Sequence, residues 1–300
     1  MLPILSVKQK IVVAGLGLVA LIGLTLFSAI EEKDGLEIVF FDVGQGSAIF
    51  IETPQNKQIL IDGGPDSLLI LEHLGKEMPF WDRHINIVVS THSSPDHLVG
   101  LIEVLTRYEV NKVIWTGMLS DSLTHQRFKE GLKKAEQKGT EITIAYFGYE
   151  INLGSDTYLK ILNPLISVAG TDPENHNNNS IVARLAFNEV SFLFTADIQD
   201  EAEKALIQKQ KDLEQNFLSA DILKVPLHGS RASSSLEFLE AVNPNKAIIQ
   251  VGKGNRPGHP HQETLERLKQ QEISILRTDI KGTIRITSDG RNYQIITNEK

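Results

Sequence analysis

The run Val88-Val89-Ser90-Thr91-His92-Ser93-Ser94-Pro95-Asp96-His97-Leu98-Val99-Gly100 decides how this chain is read. It opens on apolar residues of a buried strand, places two histidines and an aspartate within six residues, and closes on an apolar helix start. A His-x-x-x-Asp-His cluster at a strand's carboxyl end aims imidazole and carboxylate groups at one small volume. That donor set suits a divalent metal. Ser94-Pro95-Asp96 would equally serve as a plain cap for the next helix.

Outward from this run, 300 residues suffice for a sizeable core in one large domain or two small ones. The chain has no cysteine. Disulfides and thiolate sites are therefore excluded, and any metal must use His, Asp, Glu, Asn or water.

Residues 11–30 form twenty positions without a charge, rich in Leu, Val, Ala and Gly. A helix of that length spans roughly 30 Å, the hydrocarbon thickness of a bilayer. Lys8 and Lys10 precede it, and Glu31, Glu32 and Asp34 follow. The positive-inside rule then predicts a cytoplasmic tail (1–10), a single-pass membrane anchor (11–30) and an extracytoplasmic remainder. The stretch is long for a cleavable signal, and Ser28-Ala29 after Phe27 makes a poor cleavage site. With no polar face, it does not read as a core helix either.

Lys8 and Lys10 are the only charges before residue 31; taking them from the chain's 30 basic residues leaves 28 against 38 acidic, a net charge of −10. Such a domain has no strong field to gather polyanions. The groupings Lys129/Lys133/Lys134 and Lys209/Lys211 are interspersed with acids and amides and read as solvated helix faces.

Short strands rich in Ile, Val and Phe are predicted over 36–41, 47–52 and 58–61, then 85–90, 112–115, 141–146 and 158–162. Further strands fall at 180–187, 191–195, 222–225, 247–251, 273–276, 282–287 and 293–297. Helices are expected over 67–75, 97–108, 122–138, 198–209, 234–241 and 262–271. Strand clusters at both ends with helices between fit two packed β-sheets flanked by helices, an α+β domain over 36–296.

Several polar residues follow predicted strands, where a layered fold exposes functional loops. Asp62 ends the third strand, Asp197 follows Phe192-Leu193-Phe194-Thr195, and His228 follows 222–226. His259 and His261 lie beyond a Gly-rich turn. Singly, each has an ordinary reading as a cap or hydrogen-bonded loop residue. Their joint placement favours chemistry.

These segments resemble the metallo-β-lactamase superfamily, and within it the extracellular hydrolase domain of ComEC-like competence (DNA-uptake) proteins. The likeness rests on Phe41-Asp42-Val43-Gly44-Gln45-Gly46-Ser47, Leu60-Ile61-Asp62-Gly63-Gly64 and the His92–His97 block. It continues through Asn179-Ser180-Ile181-Val182, Phe194-Thr195-Ala196-Asp197-Ile198 and Leu223-Lys224-Val225-Pro226-Leu227-His228-Gly229-Ser230. The run 251–260 and Arg277-Thr278-Asp279 with Gly282 complete eight collinear motifs. The resemblance implies a four-layer αββα sandwich behind one transmembrane helix. It implies a metal-dependent hydrolase, phosphodiesterase or nuclease-like, with one or two Zn or Mn ions. No uptake pore and no protein partner is implied; nucleic acid or another phosphodiester is the expected substrate class. Carried over by residue, Asp96, His97 and a member of the 227–228 pair would ligate one metal. Asp197 would bridge to a second ion held by His92, and Asp62 would support the metal loop from beneath. Asp96 thereby counts as catalytic as well as a ligand.

Two departures stand out. Ser94 occupies a position where ComEC-like proteins usually carry aspartate, and a hydroxyl is the poorer ligand. The family's His-His-Gly-Ser reads Leu227-His228-Gly229-Ser230. If the second of that pair ligates, one site survives intact; if the first, it has lost a ligand. That leaves open a catalytically silent binding or assembly module, and hydrolysis of a small ester or lactone. His176 could substitute as a ligand or bond within its Asn-rich loop. His259 is a candidate proton donor to the leaving group, or a turn residue bonded to backbone. His261 is expected to lead into the following helix as part of its cap.

Overall fold

The computed structural model describes residues 6–28 and 35–297. The chain divides between residues 34 and 35 into two units. In the first, helix α1 (Val7–Ser28) overlaps the expected span 11–30 along residues 11–28. The side chains of residues 11 and 21–28, with residues 29 and 30, lie outside the described residues. Among the described residues, no helix is long and apolar enough to cross a membrane.

In the second unit one sheet holds β1 (Leu36–Phe40), β2 (Ile49–Glu52), β3 (Gln58–Ile61), β4 (His84–Ser90), β5 (Glu109–Trp115), β6 (Glu141–Ile144), β14 (Ile284–Ser288) and β15 (Tyr293–Thr297). The other holds β7 (Glu150–Gly154), β8 (Thr157–Asn163), β9 (Val182–Phe187), β10 (Val190–Phe194), β11 (Ile222–Lys224), β12 (Lys246–Ile249) and β13 (Ser274–Arg277). Their orders are β15-β14-β1-β2-β3-β4-β5-β6 and β13-β12-β11-β10-β9-β8-β7. The helices are α2 (Ser67–Glu77), α3 (Pro95–Arg107), α4 (Leu123–Gln137), α5 (Asp200–Asp212), α6 (Leu236–Val242), α7 (Gln262–Gln270) and α8 (Thr278–Lys281).

Period-two alternation builds the layers. In β1, Leu36, Ile38 and Phe40 enter the core between the sheets, meeting Leu185, Phe192 and Phe194 of the other sheet. Val39, Phe50, Leu60 and Val88 face outward and meet Ile70 and Leu74 of α2, Leu101 and Val104 of α3, and Phe128 of α4. On the opposite outer face Leu193, Leu223 and Ile249 pack against Leu206, Phe238 and Leu268 from α5, α6 and α7. The expected αββα order is present. Sequence reading missed β7, a short hairpin partner of β8, and the single turn α8; elsewhere the bounds moved by a few residues.

Direction matters more than count. β3, β4, β5 and β6 run parallel, as do β10, β11, β12 and β13. Loops leaving the carboxyl ends of parallel strands form the crevice in which such sheets hold ligands.

Candidate metal centre

Each polar side chain of this crevice is supplied by a short segment just past a strand. Asp62 follows β3 with φ 59°, Asp197 follows Ala196 at φ 46°, and Leu227 and His228 after β11 have φ 49° and 53°. Left-handed backbone at residues other than glycine costs free energy and recurs where function holds it in place. Gln250, past β12, bridges the sheets: its Nε2 donates to the carbonyls of Phe41 and Ala48, and its Oε1 accepts from Ser47.

His97 and His228 converge from opposite sheets on Asp197. His97 Nε2 lies 3.3 Å from Asp197 Oδ1; His228 Nε2 lies 3.3 Å from Asp96 Oδ2 and 3.5 Å from Asp197 Oδ2. Ligand atoms of Asp96, His97, Asp197 and His228 all fall within 4.8 Å of one another. His92 stands beside them, its Nε2 3.9 Å from Asp197 Oδ2 and its ring centroid 4.3 Å from that of His97.

The outer nitrogens of all three histidines are engaged. His97 Nδ1–H donates to Asp62 Oδ2 at 2.7 Å, and His228 Nδ1–H donates to the Gln250 carbonyl at 2.8 Å. Thr91 Oγ1 donates to Asp62 Oδ2 at 2.8 Å, so its lone pair is left to accept from His92 Nδ1–H at 3.0 Å. The Asp62 carboxylate also accepts from the Thr91 backbone amide. Such outer partners set the tautomer that leaves Nε2 free as a ligand. The four inward atoms, Nε2 of His92, His97 and His228 and Oδ1 of Asp197, are buried and have no hydrogen-bond partner. Stranding that many polar atoms is costly unless a cation completes them. The donor set fits a divalent ion.

The charges agree. Burial opposes ionisation of His97, but Asp197 and Asp62 outweigh it and hold its pKa at about 10. His228 is likewise raised against the effect of burial, chiefly by Asp197. Burial and the neighbouring His97 push His92 down to about 4. Asp96, despite partial burial, falls to about 2 through the closeness of His228 and the charge of His97. Asp197 is held well below the usual carboxylate range by the same two histidines, against burial. The pocket attracts positive charge.

The remaining candidates sit around this group. Ser94 is the N-cap residue of α3, but its side chain makes no capping bond. His176 is occupied on both nitrogens, Nδ1 with Ser93 Oγ at 2.5 Å and Nε2 with Asp172 Oδ1 at 2.7 Å. It buttresses the metal loop and lies outside the group of four. His259 stacks at 6.4 Å on His228, with a buried, unpartnered Nδ1, while its backbone is clasped by Asn255. His261 takes the N-cap position of α7, and its Nδ1 accepts from the Arg231 amide. Of the 227–228 pair, His228 faces the centre.

Sequence reasoning overlooked Thr91, Gln250 and Lys224. Lys224 is fully buried; its Nζ donates to the Ala196 carbonyl at 3.0 Å and lies 3.9 Å from Asp197 Oδ1. A lysine inside the apolar run Ile222-Leu223-Lys224-Val225 was the available signal.

A profile of the Metallo-beta-lactamase superfamily matches residues 41–253. The ComE operon protein 3 of Bacillus subtilis is 29% identical over 298 residues, covering 93% of this chain and 36% of that protein. Competence protein ComA of Neisseria gonorrhoeae is 23% identical over 256 residues, covering 85% and 33%. The chain thus spans about a third of the length of these curated relatives. Among solved structures, Igni18, a metallo hydrolase of the archaeon Ignicoccus hospitalis, aligns with a TM-score of 0.51 at 14% identity, over 83% of this chain and 98% of that one. At that identity the likeness speaks to fold alone.

Proposed function

The chain belongs to the metallo-β-lactamase superfamily, and from that premise we propose that it is a membrane-anchored, extracytoplasmic, metal-dependent hydrolase of phosphodiesters. The observation carrying this reading is the set of buried, unpartnered ligand atoms on His97, His228 and Asp197, with Asp96 beside them. These four residues would hold one divalent ion, Zn or Mn. His92, 3.9 Å from Asp197, would face a second position beside it.

A divalent ion there lowers the pKa of water toward neutrality and offsets negative charge developing on a scissile ester. Asp62, Thr91 and the Gln250 carbonyl hold the imidazoles so that nothing reorganises during turnover. Asp96, half-buried at the amino end of α3, is the ligand nearest solvent and can accept a proton from the attacking water. His259, which stacks on His228, would donate a hydrogen bond from its ring N–H to the scissile phosphate; burial and the charge of His228 hold its pKa down to about 4, so the ring is neutral near pH 7.

The phosphodiester class follows the kinship with proteins named for competence. The acidic balance of the domain favours a second reading, a small ester or lactone. The anchor rests on the apolar stretch 11–30. Elemental analysis of the full chain in detergent is expected to find about one ion per chain, lost on Asp96→Ala with His228→Ala. Equal metal in the parent and the double variant would refute the ligand set. A panel of single-stranded DNA, bis(p-nitrophenyl) phosphate and p-nitrophenyl acetate then separates the substrate classes. His259→Ala should keep its metal and lose roughly 10²-fold or more in rate.

A further inference from the structure

We propose that Ser93, His176 and Asp172 form a second catalytic centre beside the metal loop, in which a serine nucleophile cleaves small neutral acyl esters without a metal. The inference goes beyond the metal-dependent reading and does not rest on it.

Ser93 Oγ lies 2.5 Å from His176 Nδ1, and His176 Nε2 lies 2.7 Å from Asp172 Oδ1. A carboxylate can only accept, so Nε2 carries the proton of the neutral ring. Nδ1 is then the acceptor, and the Ser93 hydroxyl donates to it. A nucleophile needs that polarity: a base within hydrogen-bond reach, itself oriented by a third group. None of the three belongs to the group of four that would hold the ion.

The segments that carry them are locked together. His176 and Asp172 lie on the connection between β8 and β9. On its outer limb the Leu119 amide donates to the Thr171 carbonyl at 2.7 Å, and the Gly170 amide to the Gly117 carbonyl at 2.9 Å. On its inner limb the Ile181 amide donates to the Thr91 carbonyl at 3.0 Å, next to the metal loop. Asn175 closes the turn around His176, accepting from the Asn178 amide at Oδ1 and from Asn179 Nδ2 at its carbonyl. The alignment is thus held before any substrate arrives. Ser93 and His176 are only half-buried, so the hydroxyl can be approached from solvent.

The reaction closes on these groups. Ser93 Oγ bonds to the acyl carbon as its proton passes to His176 Nδ1. The ester C–O bond then breaks, and the leaving alcohol takes that proton. Water adds to the acyl-serine with His176 again accepting and returning the proton, which releases the carboxylic acid and restores Ser93. The carbonyl oxygen has a donor at the amino end of α3. Pro95 has no N–H, the amides of His97 and Leu98 return to the Ser94 carbonyl, and the Ser94 side chain makes no capping bond. The Asp96 amide, three residues from Ser93, remains. Asp96, Asp172 and Glu174 put negative charge around the site, which selects a neutral ester over an anionic one.

The full chain in detergent, as purified and after chelation, is incubated with a fluorophosphonate. Attack by Ser93 Oγ forms an O–P bond and expels fluoride, and peptide mass spectrometry locates the adduct. Modification of Ser93 is expected in both samples and also in the Asp96→Ala, His228→Ala double variant. His176→Gln should slow it roughly 10²-fold or more. Ser93→Ala should abolish the adduct together with the burst of p-nitrophenol from p-nitrophenyl acetate in chelator. An unmodified Ser93, an adduct that forms as fast in His176→Gln, or one lost on chelation overturns the second centre. None of these outcomes bears on metal binding, which the elemental analysis decides separately.

Discussion

His97 donates its Nδ1–H to Asp62 at 2.7 Å and turns its Nε2 to within 3.3 Å of Asp197, so one ring ties the base of the metal loop to the opposite sheet. Asp62 lies on the far side of His97 from Asp197 and also holds Thr91, which in turn orients His92. A single carboxylate thereby sets two imidazoles.

Asp62→Asn retains the shape but presents an amide whose NH₂ end would compete with both donors. Metal affinity is expected to fall about 10- to 100-fold, as for other outer partners of ligands. Chelator competition measures it, and an affinity unchanged within twofold would refute the role.

The metal-free domain should be most stable near pH 6.5. The folded pKa of His97 is raised to about 10, so its stabilisation is complete below the ordinary value of about 6.5 and is lost as pH climbs through 10. The folded pKa of His92 is lowered to about 4, so stability is lost as pH falls from about 6.5 through 4, where the unfolded chain binds the extra proton. Loaded protein should instead gain stability between pH 7 and 9, because the ion must displace the His97 proton. Thermal melts across pH, with and without zinc, decide this. Parallel profiles would count against the site.

Ser94→Asp tests whether the second ion position is recoverable. Asp is as good an N-cap as Ser, and the present side chain makes no capping bond to lose. The variant should fold normally and raise bound metal from about one ion toward two, using His92 and Asp197 as the other donors. Unaltered stoichiometry would mean that more than this residue is missing.

Lys224→Met should remove about 1–3 kcal/mol of stability by leaving the Ala196 carbonyl without its donor. Ala196 holds a left-handed φ of 46° just before Asp197, and that ammonium is what pins it. A urea titration gives the loss directly. A neutral result would place the strain elsewhere.

The layered fold was legible because it rests on local pattern. Alternation in runs such as Leu36 to Phe41 assigns one set of side chains to the inter-sheet core and the other to the helices, and turn residues mark the ends. Asp62, His92, Asp96, His97, Asp197 and His228 could be singled out because each interrupts or follows an apolar strand. Two adjacent residues, Leu227 and His228, could not be told apart by pattern. Positive φ at both sets the direction of the ring, and a turn of that kind has no periodicity.

The amino-acid order alone determined that two β-sheets would be covered by helices, that any metal must take nitrogen and oxygen donors, and that these donors would lie at strand ends. Only the closed tertiary structure decided which atoms meet: Asp96 and His97 from one sheet with Asp197 and His228 from the other, and Lys224, Thr91 and Gln250 beneath them. Periodicity encodes burial, a property of each residue with its near neighbours. A ligand set is a distance between residues more than a hundred positions apart, and it exists only after the core has brought the two sheets together.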